Sequence, residues 1–128
     1  MSTSTQIVTG VDFAFVPVKD FEKAVEFYGT TLGLPLSVRY ERAPGAEFET
    51  GNLTLLVMEA GAVGMQDVQP SRNAIALRVD DVAAARAELE SRGVTFHGDI
   101  VDSGVCHQAY FSDPDGHSLI LHHRYAPR

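Results

Sequence analysis

Val16-Pro17-Val18-Lys19-Asp20 runs into Phe21-Glu22-Lys23-Ala24-Val25-Glu26-Phe27-Tyr28 and stops at Leu32-Gly33. About sixty residues later, Leu77-Arg78-Val79-Asp80-Asp81 runs into Val82-Ala83-Ala84-Ala85-Arg86-Ala87-Glu88-Leu89 and stops at Arg92-Gly93, the self-similarity of a repeated unit. Both stretches read as apolar strand, acidic cap, amphipathic helix and glycine stop. In the first, Phe21, Ala24, Val25, Tyr28 and Leu32 recur at helical spacing and form one buried stripe. Asp20 and Asp81 stand where a carboxylate accepts the free amides of a first helical turn. Gly33 supplies a left-handed stop and Pro35 forbids continuation.

Strands follow each helix. In the first half they are Leu36 to Glu41, Glu47 to Thr50 and Leu53 to Met58, parted by Ala43-Pro44-Gly45 and Gly51-Asn52. In the second they are Val94 to Val101, Val105 to Phe111 and Ser118 to His123. Leading strands cover Val11 to Val18, with Pro17 implying a sheet edge or a bulge, and Ala74 to Val79. Asp113-Pro114-Asp115-Gly116 fits a type I turn. Glu88 and Arg92 are spaced as an exposed i,i+4 ion pair. The order is βαβββ twice, an α+β chain whose helices cover one face of curved mixed sheets. Residues 1–9 are expected to be disordered or extended, 10–60 and 73–125 to form the two modules, and 61–72 to link them within one compact domain.

Seventeen acidic against ten basic residues leave a net charge of −7. That balance disfavours nucleic acid and anionic membrane surfaces as partners. The start of the chain lacks a signal peptide and no apolar run approaches a membrane span, so a cytoplasmic protein is expected. The single cysteine, Cys106, excludes an internal disulfide framework and reads as a small buried side chain.

The Asp20 to Leu34 stretch, the pair Val79-Asp80-Asp81 and the Asp-Pro-Asp-Gly turn resemble the vicinal oxygen chelate superfamily, which includes glyoxalase I, extradiol dioxygenases, fosfomycin-resistance enzymes and bleomycin-binding proteins. The resemblance covers nearly the whole chain and implies two modules whose sheets form a cup with the site inside. It also implies metal ligands early in the first strand and near the end of the last strand of each module. Those positions fall on Phe13, Ala74, Ile120 and somewhere in Thr54 to Val57. None of these side chains offers the imidazole or carboxylate that such a metal needs. Asp12 and Asn73, one residue off register, turn to the opposite sheet face. Glu59 rescues one ligand only if the strand register shifts. No metal and no other cofactor is expected.

Five histidines remain. His122 shares strand parity with Ile120 and is the best placed to enter the cup; the plainer account is a strand-end histidine satisfied by solvent or a partner subunit. His117 reads as an exposed hairpin residue, and His97 and His107 suggest no site. If Ile75, Leu77 and Val79 face the helix, Ala74, Ala76 and Arg78 face the cup. Arg78 there either binds a carboxylate or phosphate bidentately or pairs with Glu47 or Glu49. Phe13 and Phe15, with Tyr110 and Tyr40 as additions, form an aromatic wall or simply fill the core.

Two functions are consistent with this reading. The first, resembling bleomycin-resistance proteins, is a metal-free homodimer that sequesters an aromatic or amphipathic small molecule against Phe13, Phe15, Ala74, Arg78, Tyr110, Ile120 and His122. The second is a lyase, isomerase or dioxygenase that uses displaced ligands such as Glu59 and His122, or His122 as general base. A regulatory module with a filled cup is a third, blander account.

Overall fold

The computed structural model describes residues 6–128. Residues 6–12 precede the first strand without regular structure, and the rest of the expected N-terminal segment lies outside the described residues. The first half comprises β1 (Phe13–Val18), α1 (Phe21–Val25) continued by a π-helical segment (Glu26–Thr31), β2 (Leu36–Arg39), β3 (Gly45–Glu49) and β4 (Thr54–Glu59). A 3-10 turn (Ala60–Val63) opens the connector. The second half comprises β5 (Ile75–Arg78), α2 (Val82–Ser91), β6 (Phe96–Asp102), β7 (Cys106–Ser112) and β8 (Ser118–Arg124).

The sheets have equivalent orders, β1-β4-β3-β2 and β5-β8-β7-β6. In each, the leading strand runs parallel to the last strand of its module and the other pairs are antiparallel. The α+β class and the doubled βαβββ order are therefore as the repeat predicts, and the two open sheets are consistent with the cup that the resemblance implies. Pro17 lies on β1, an edge strand, where its missing N–H costs no ladder bond. Asp20 and Asp81 cap their helices by accepting the amides of Lys23 and Ala84 at 3.2 and 2.9 Å. Gly33 and Gly93 adopt φ values of 74° and 94°, the left-handed region that ends each helix. Glu88 and Arg92 pair at 3.0 Å.

The first helix departs from expectation. Phe21, Ala24 and Tyr28 of its apolar stripe are buried and Val25 and Leu32 half-buried against the core, yet regular α bonding ends at Val25 and the Leu32 amide reaches back five residues to the Phe27 carbonyl at 2.8 Å. Gly29 lies in this wide turn, where a Cβ would come within 3.2 Å of the Phe48 ring. The bare backbone lets the segment lie close on β3.

One contiguous core spans both halves. It joins Val16, Tyr28, Phe48 and Leu55 to Leu89, Phe111, Leu119 and Leu121. Each large side chain fully buried this way contributes about 1.5–3 kcal/mol. Ile75, Leu77 and Val79 pack against the same core, which sends Ala76 and Arg78 to the opposite, open face.

Polar contacts across the seam between the halves are specific. The Tyr28 hydroxyl, on a residue with no exposed surface, donates to Asp113 Oδ2 at 2.7 Å. Asp113 Oδ1 accepts the amides of Asp115 and His117, both at 2.9 Å, so the turn holds its own carboxylate in place. Asp115 Oδ1 accepts the Lys19 amide at 3.0 Å, and Arg92 Nη1 donates to the Thr31 carbonyl at 2.9 Å.

His117 corrects the expectation of an exposed hairpin residue: it is 6% exposed. Its Nδ1 accepts the Ser71 amide at 2.9 Å, which leaves Nε2 to carry the proton and donate to the Pro17 carbonyl at 2.7 Å. A neutral imidazole thus ties the connector and β1 to the second half. Asp113 and Asp115, read from sequence as turn residues alone, also serve this docking.

Candidate functional site

Each sheet has one face covered by its helix and one face open. On β1, alternation puts Ala14, Val16 and Val18 inward and leaves Phe13 and Phe15 outward, 50% and 41% exposed. Across the parallel ladder, Phe13 pairs with Thr54 and Phe15 with Leu56, and β3 then sets Glu49 beside Thr54 and Glu47 beside Leu56. The open face of the first sheet is therefore an aromatic edge followed by two carboxylates. Glu49 accepts hydroxyl donors from Ser37 and from Thr54. These bonds, Ser37 first, hold its carboxyl below the usual carboxylate range against a small opposing effect of desolvation. Glu47 accepts the Tyr40 hydroxyl, and that bond is the main cause of the rise in the Tyr40 phenol pKa.

The second sheet has the opposite character. Arg78 on β5 lies beside His122 on β8, which lies beside Gln108 on β7; one row along, Ala76, Ile120 and Tyr110 line up in the same way. Adjacent strands are about 4.8 Å apart, so these rows form a continuous patch. Arg124 follows His122 at the same parity. At their open-face positions β5, β7 and β8 carry Arg78, His122 and Arg124 and no carboxylate. Among the described residues neither Arg78 nor Arg124 makes an ion pair, which removes Glu47 and Glu49 as partners of Arg78. The Arg124 Nη2 reaches the Pro127 carbonyl at 3.2 Å while its Nε is buried without an acceptor. The Tyr110 hydroxyl donates to Gln108, whose amide in turn approaches the Cys106 sulfur at 3.5 Å.

Of the residues singled out from sequence, the fold gathers Arg78, Tyr110, Ile120 and His122 on one open face and Phe13 with Phe15 on the other. Ala74 is exposed and lies just before β5. His97 touches Ser112 at 3.0 Å, His107 lies 3.4 Å from Asp102, and His123 turns inward to the Val79 carbonyl at 3.1 Å. Glu59, the proposed rescue ligand, pairs with Val18 and shares the covered face with Leu55 and Val57. It cannot converge with Phe13 or His122.

The residues at the family's ligand positions do not fit a metal. Phe13, Ala74, Ile120 and the stretch from Thr54 to Val57 offer no imidazole or carboxylate. No group of three His, Cys, Asp or Glu side chains suited to an ion occurs among the described residues. Sequence reasoning missed the Ser37, Thr54 and Tyr40 hydroxyls around the two glutamates, and Arg124. The parity of Glu47 and Glu49 with Tyr40 was the available signal.

Comparison with known proteins agrees with the doubled fold. Residues 10–121 match the Glyoxalase/Bleomycin resistance protein/Dioxygenase superfamily. The glutathione transferase FosA of Serratia marcescens is 32% identical over 108 residues, covering 82% of this chain and 74% of that protein. The uncharacterized protein YraH of Bacillus subtilis (strain 168) is 33% identical over 114 residues, 80% of this chain and 88% of YraH. Among solved structures, TnmS3, an antibiotic binding protein from Streptomyces sp. CB03234, superposes with a TM-score of 0.77 at 29% identity, covering 94% of this chain and 99% of that one. With its two βαβββ units and a match over residues 10–121, this chain belongs to the Glyoxalase/Bleomycin resistance protein/Dioxygenase superfamily.

Proposed function

We propose that this protein binds a small organic molecule without a metal and sequesters it unchanged. The observation that carries this reading is that Phe13, Ala74, Ile120 and the stretch from Thr54 to Val57 offer no imidazole or carboxylate, with exposed aromatic rings on the open face of one sheet and an unpaired guanidinium on that of the other. Phe13 and Phe15 take the flat or apolar body of the ligand, with Ala74, Ile120 and Tyr110 extending the wall. Arg78, flanked by His122, takes a carboxylate, phosphate or sulfonate by charge-assisted hydrogen bonds. The likeness to an antibiotic binding protein supports sequestration.

A second copy of the chain belongs to this reading. The outer strands β2 and β6 each pair with a neighbour on one side alone, and Phe13, Phe15 and Val38 expose apolar surface that a partner would cover. In such a homodimer the aromatic face of one protomer and the cationic face of its partner complete each cup. Among the described residues no helix is long and apolar enough to cross a membrane, and we place the protein in the cytoplasm.

The test uses 8-anilino-1-naphthalenesulfonate, an aromatic sulfonate whose fluorescence reports binding. Saturable binding that EDTA does not alter is expected. The Phe13→Ala, Arg78→Ala double variant is expected to bind at least about tenfold more weakly, since lost stacking and a lost charged hydrogen bond together exceed about 1.4 kcal/mol. An unchanged Kd in that variant, or close to one equivalent of metal per chain after purification without chelator, would overturn the reading.

Similarity to a glutathione transferase favours one alternative, an enzyme of the same superfamily. A lyase, isomerase or dioxygenase in this cup would rely on His122 as general base, because Glu59 faces away. Turnover abolished by His122→Ala with the probe still bound would move the assignment to this class.

A further inference from the structure

A cavity of about 210 Å³ lies at the seam along the β1 edge, lined chiefly from the covered side and reaching the open face only at Phe15. β1 forms one wall through Ala14, Val16 and Pro17, and Ile75 and Leu119 form the opposite wall. Tyr28 and His117 also line it, and it opens to solvent beside the exposed Phe15 and Asn73. The polar atoms of Tyr28 and His117 are already committed to Asp113, Ser71 and Pro17, so they present ring surface and no free hydrogen-bonding group. Two groups differ. Half-buried Ser118 and exposed Asn73 line the same space, and among the described residues neither the Ser118 hydroxyl nor the Asn73 carboxamide has a protein partner.

A dry apolar cavity of roughly 150 Å³ accommodates benzene. This one is of that order and adds a hydroxyl and an amide on one side. We propose that the seam cavity is a second binding site, for a small planar aromatic molecule carrying one hydrogen-bonding substituent, of the size of a phenol or an aniline. Its ring lies between Tyr28, His117 and the aliphatic walls, and its substituent reaches Ser118 and Asn73. Because the walls come from both halves and the connector, an occupant bridges Pro17, Ser71 and Ser118 and stabilises their docking. The site shares Phe15 with the aromatic edge of the open face but none of Phe13, Arg78, Tyr110, Ile120 or His122.

The experiment is a titration of the full chain with phenol, followed by amide and methyl NMR shifts and by thermal unfolding. Saturable shifts centred on Ala14, Ser71, Asn73 and Ser118 and a rise in Tm are expected. Ala14→Leu projects a larger side chain into the cavity and is expected to abolish those shifts, with the spectrum of the rest of the protein retained. Ser118→Ala, which leaves the cavity open, is expected to weaken binding about threefold to tenfold, the effect of one neutral hydrogen bond. Shifts confined to Phe13, Arg78 or His122, shifts that persist in Ala14→Leu, or no saturable response would each overturn the proposal. Should Ala14→Leu unfold, the Ser118→Ala comparison and the location of the wild-type shifts decide it.

Discussion

Tyr28 shows how much one side chain carries in this protein. Its ring is fully buried, and its hydroxyl is the donor for a carboxylate that is itself 4% exposed. Burial first, and then the charge of Asp113, push the phenol pKa far above its ordinary value. An unfolded tyrosine ionises near pH 10, whereas the folded group keeps its proton beyond that. Above about pH 10 the unfolded chain therefore binds fewer protons than the native one, and stability falls as pH rises, by about 1.4 kcal/mol per unit. Below that pH the contribution is fully present. Urea unfolding at neutral pH should show Tyr28→Phe destabilised by about 1–3 kcal/mol, the cost of leaving the Asp113 Oδ2 without its donor. The same measurement between pH 9.5 and 11 should show most of the alkaline slope gone in the variant. Tyr40 and Tyr125, raised mainly by hydrogen bonds to Glu47 and Asp102, account for a smaller residue. A variant with the wild-type slope would place the alkaline sensitivity elsewhere.

At the level of elements, what could be read in the sequence was what neighbouring residues decide. The Asp20 and Asp81 caps, the left-handed Gly33 and Gly93 stops and the Glu88–Arg92 pair depend on residues within one or two turns, and each is found in its expected place. Removing the Asp81 carboxylate exposes the weakness of a 10-residue helix whose first turn has no other acid: Asp81→Ala should cost about 1 kcal/mol in chemical denaturation, and Asp81→Ser should restore most of it. Strand parity was equally legible, since a period of two separates Phe13 and Phe15 from Val16 and Val18 without any knowledge of the partner strand. Two features were not. The π turn after Val25 depends on Gly29 meeting Phe48 on another strand. His117 is bonded to residues 46 and 100 positions away, so its local setting after a turn glycine gave a misleading sign of exposure. For the candidate site, parity assigns Arg78 and His122 to one face. That Arg78 has no carboxylate partner follows only from the three-dimensional arrangement.

Across the whole molecule, charge is sorted by module. The open face of the first sheet carries Glu47 and Glu49, whereas β5, β7 and β8 of the second present Arg78 and Arg124 and no carboxylate there, although the chain as a whole is at −7. Faces of opposite sign favour encounter of the first sheet of one protomer with the second sheet of its partner and disfavour like-with-like pairing. Sedimentation should find a dimer in the wild type and a monomer for Phe15→Glu, which puts a charge on the exposed aromatic edge; a dimer in both would remove this edge from the interface. The seam within one chain works differently. Four of its anchors on the first half and the connector are main-chain atoms: the carbonyls of Pro17 and Thr31 and the amides of Lys19 and Ser71. Any side chain but proline's leaves those atoms in place, provided the backbone keeps its path, and among the described hydrogen bonds of this seam Tyr28 is the one first-half residue that takes part through its side chain. The two halves are thus joined by a coupling indifferent to most of the text it joins, which leaves evolution free to rewrite each open face separately and still inherit a protein whose halves fit.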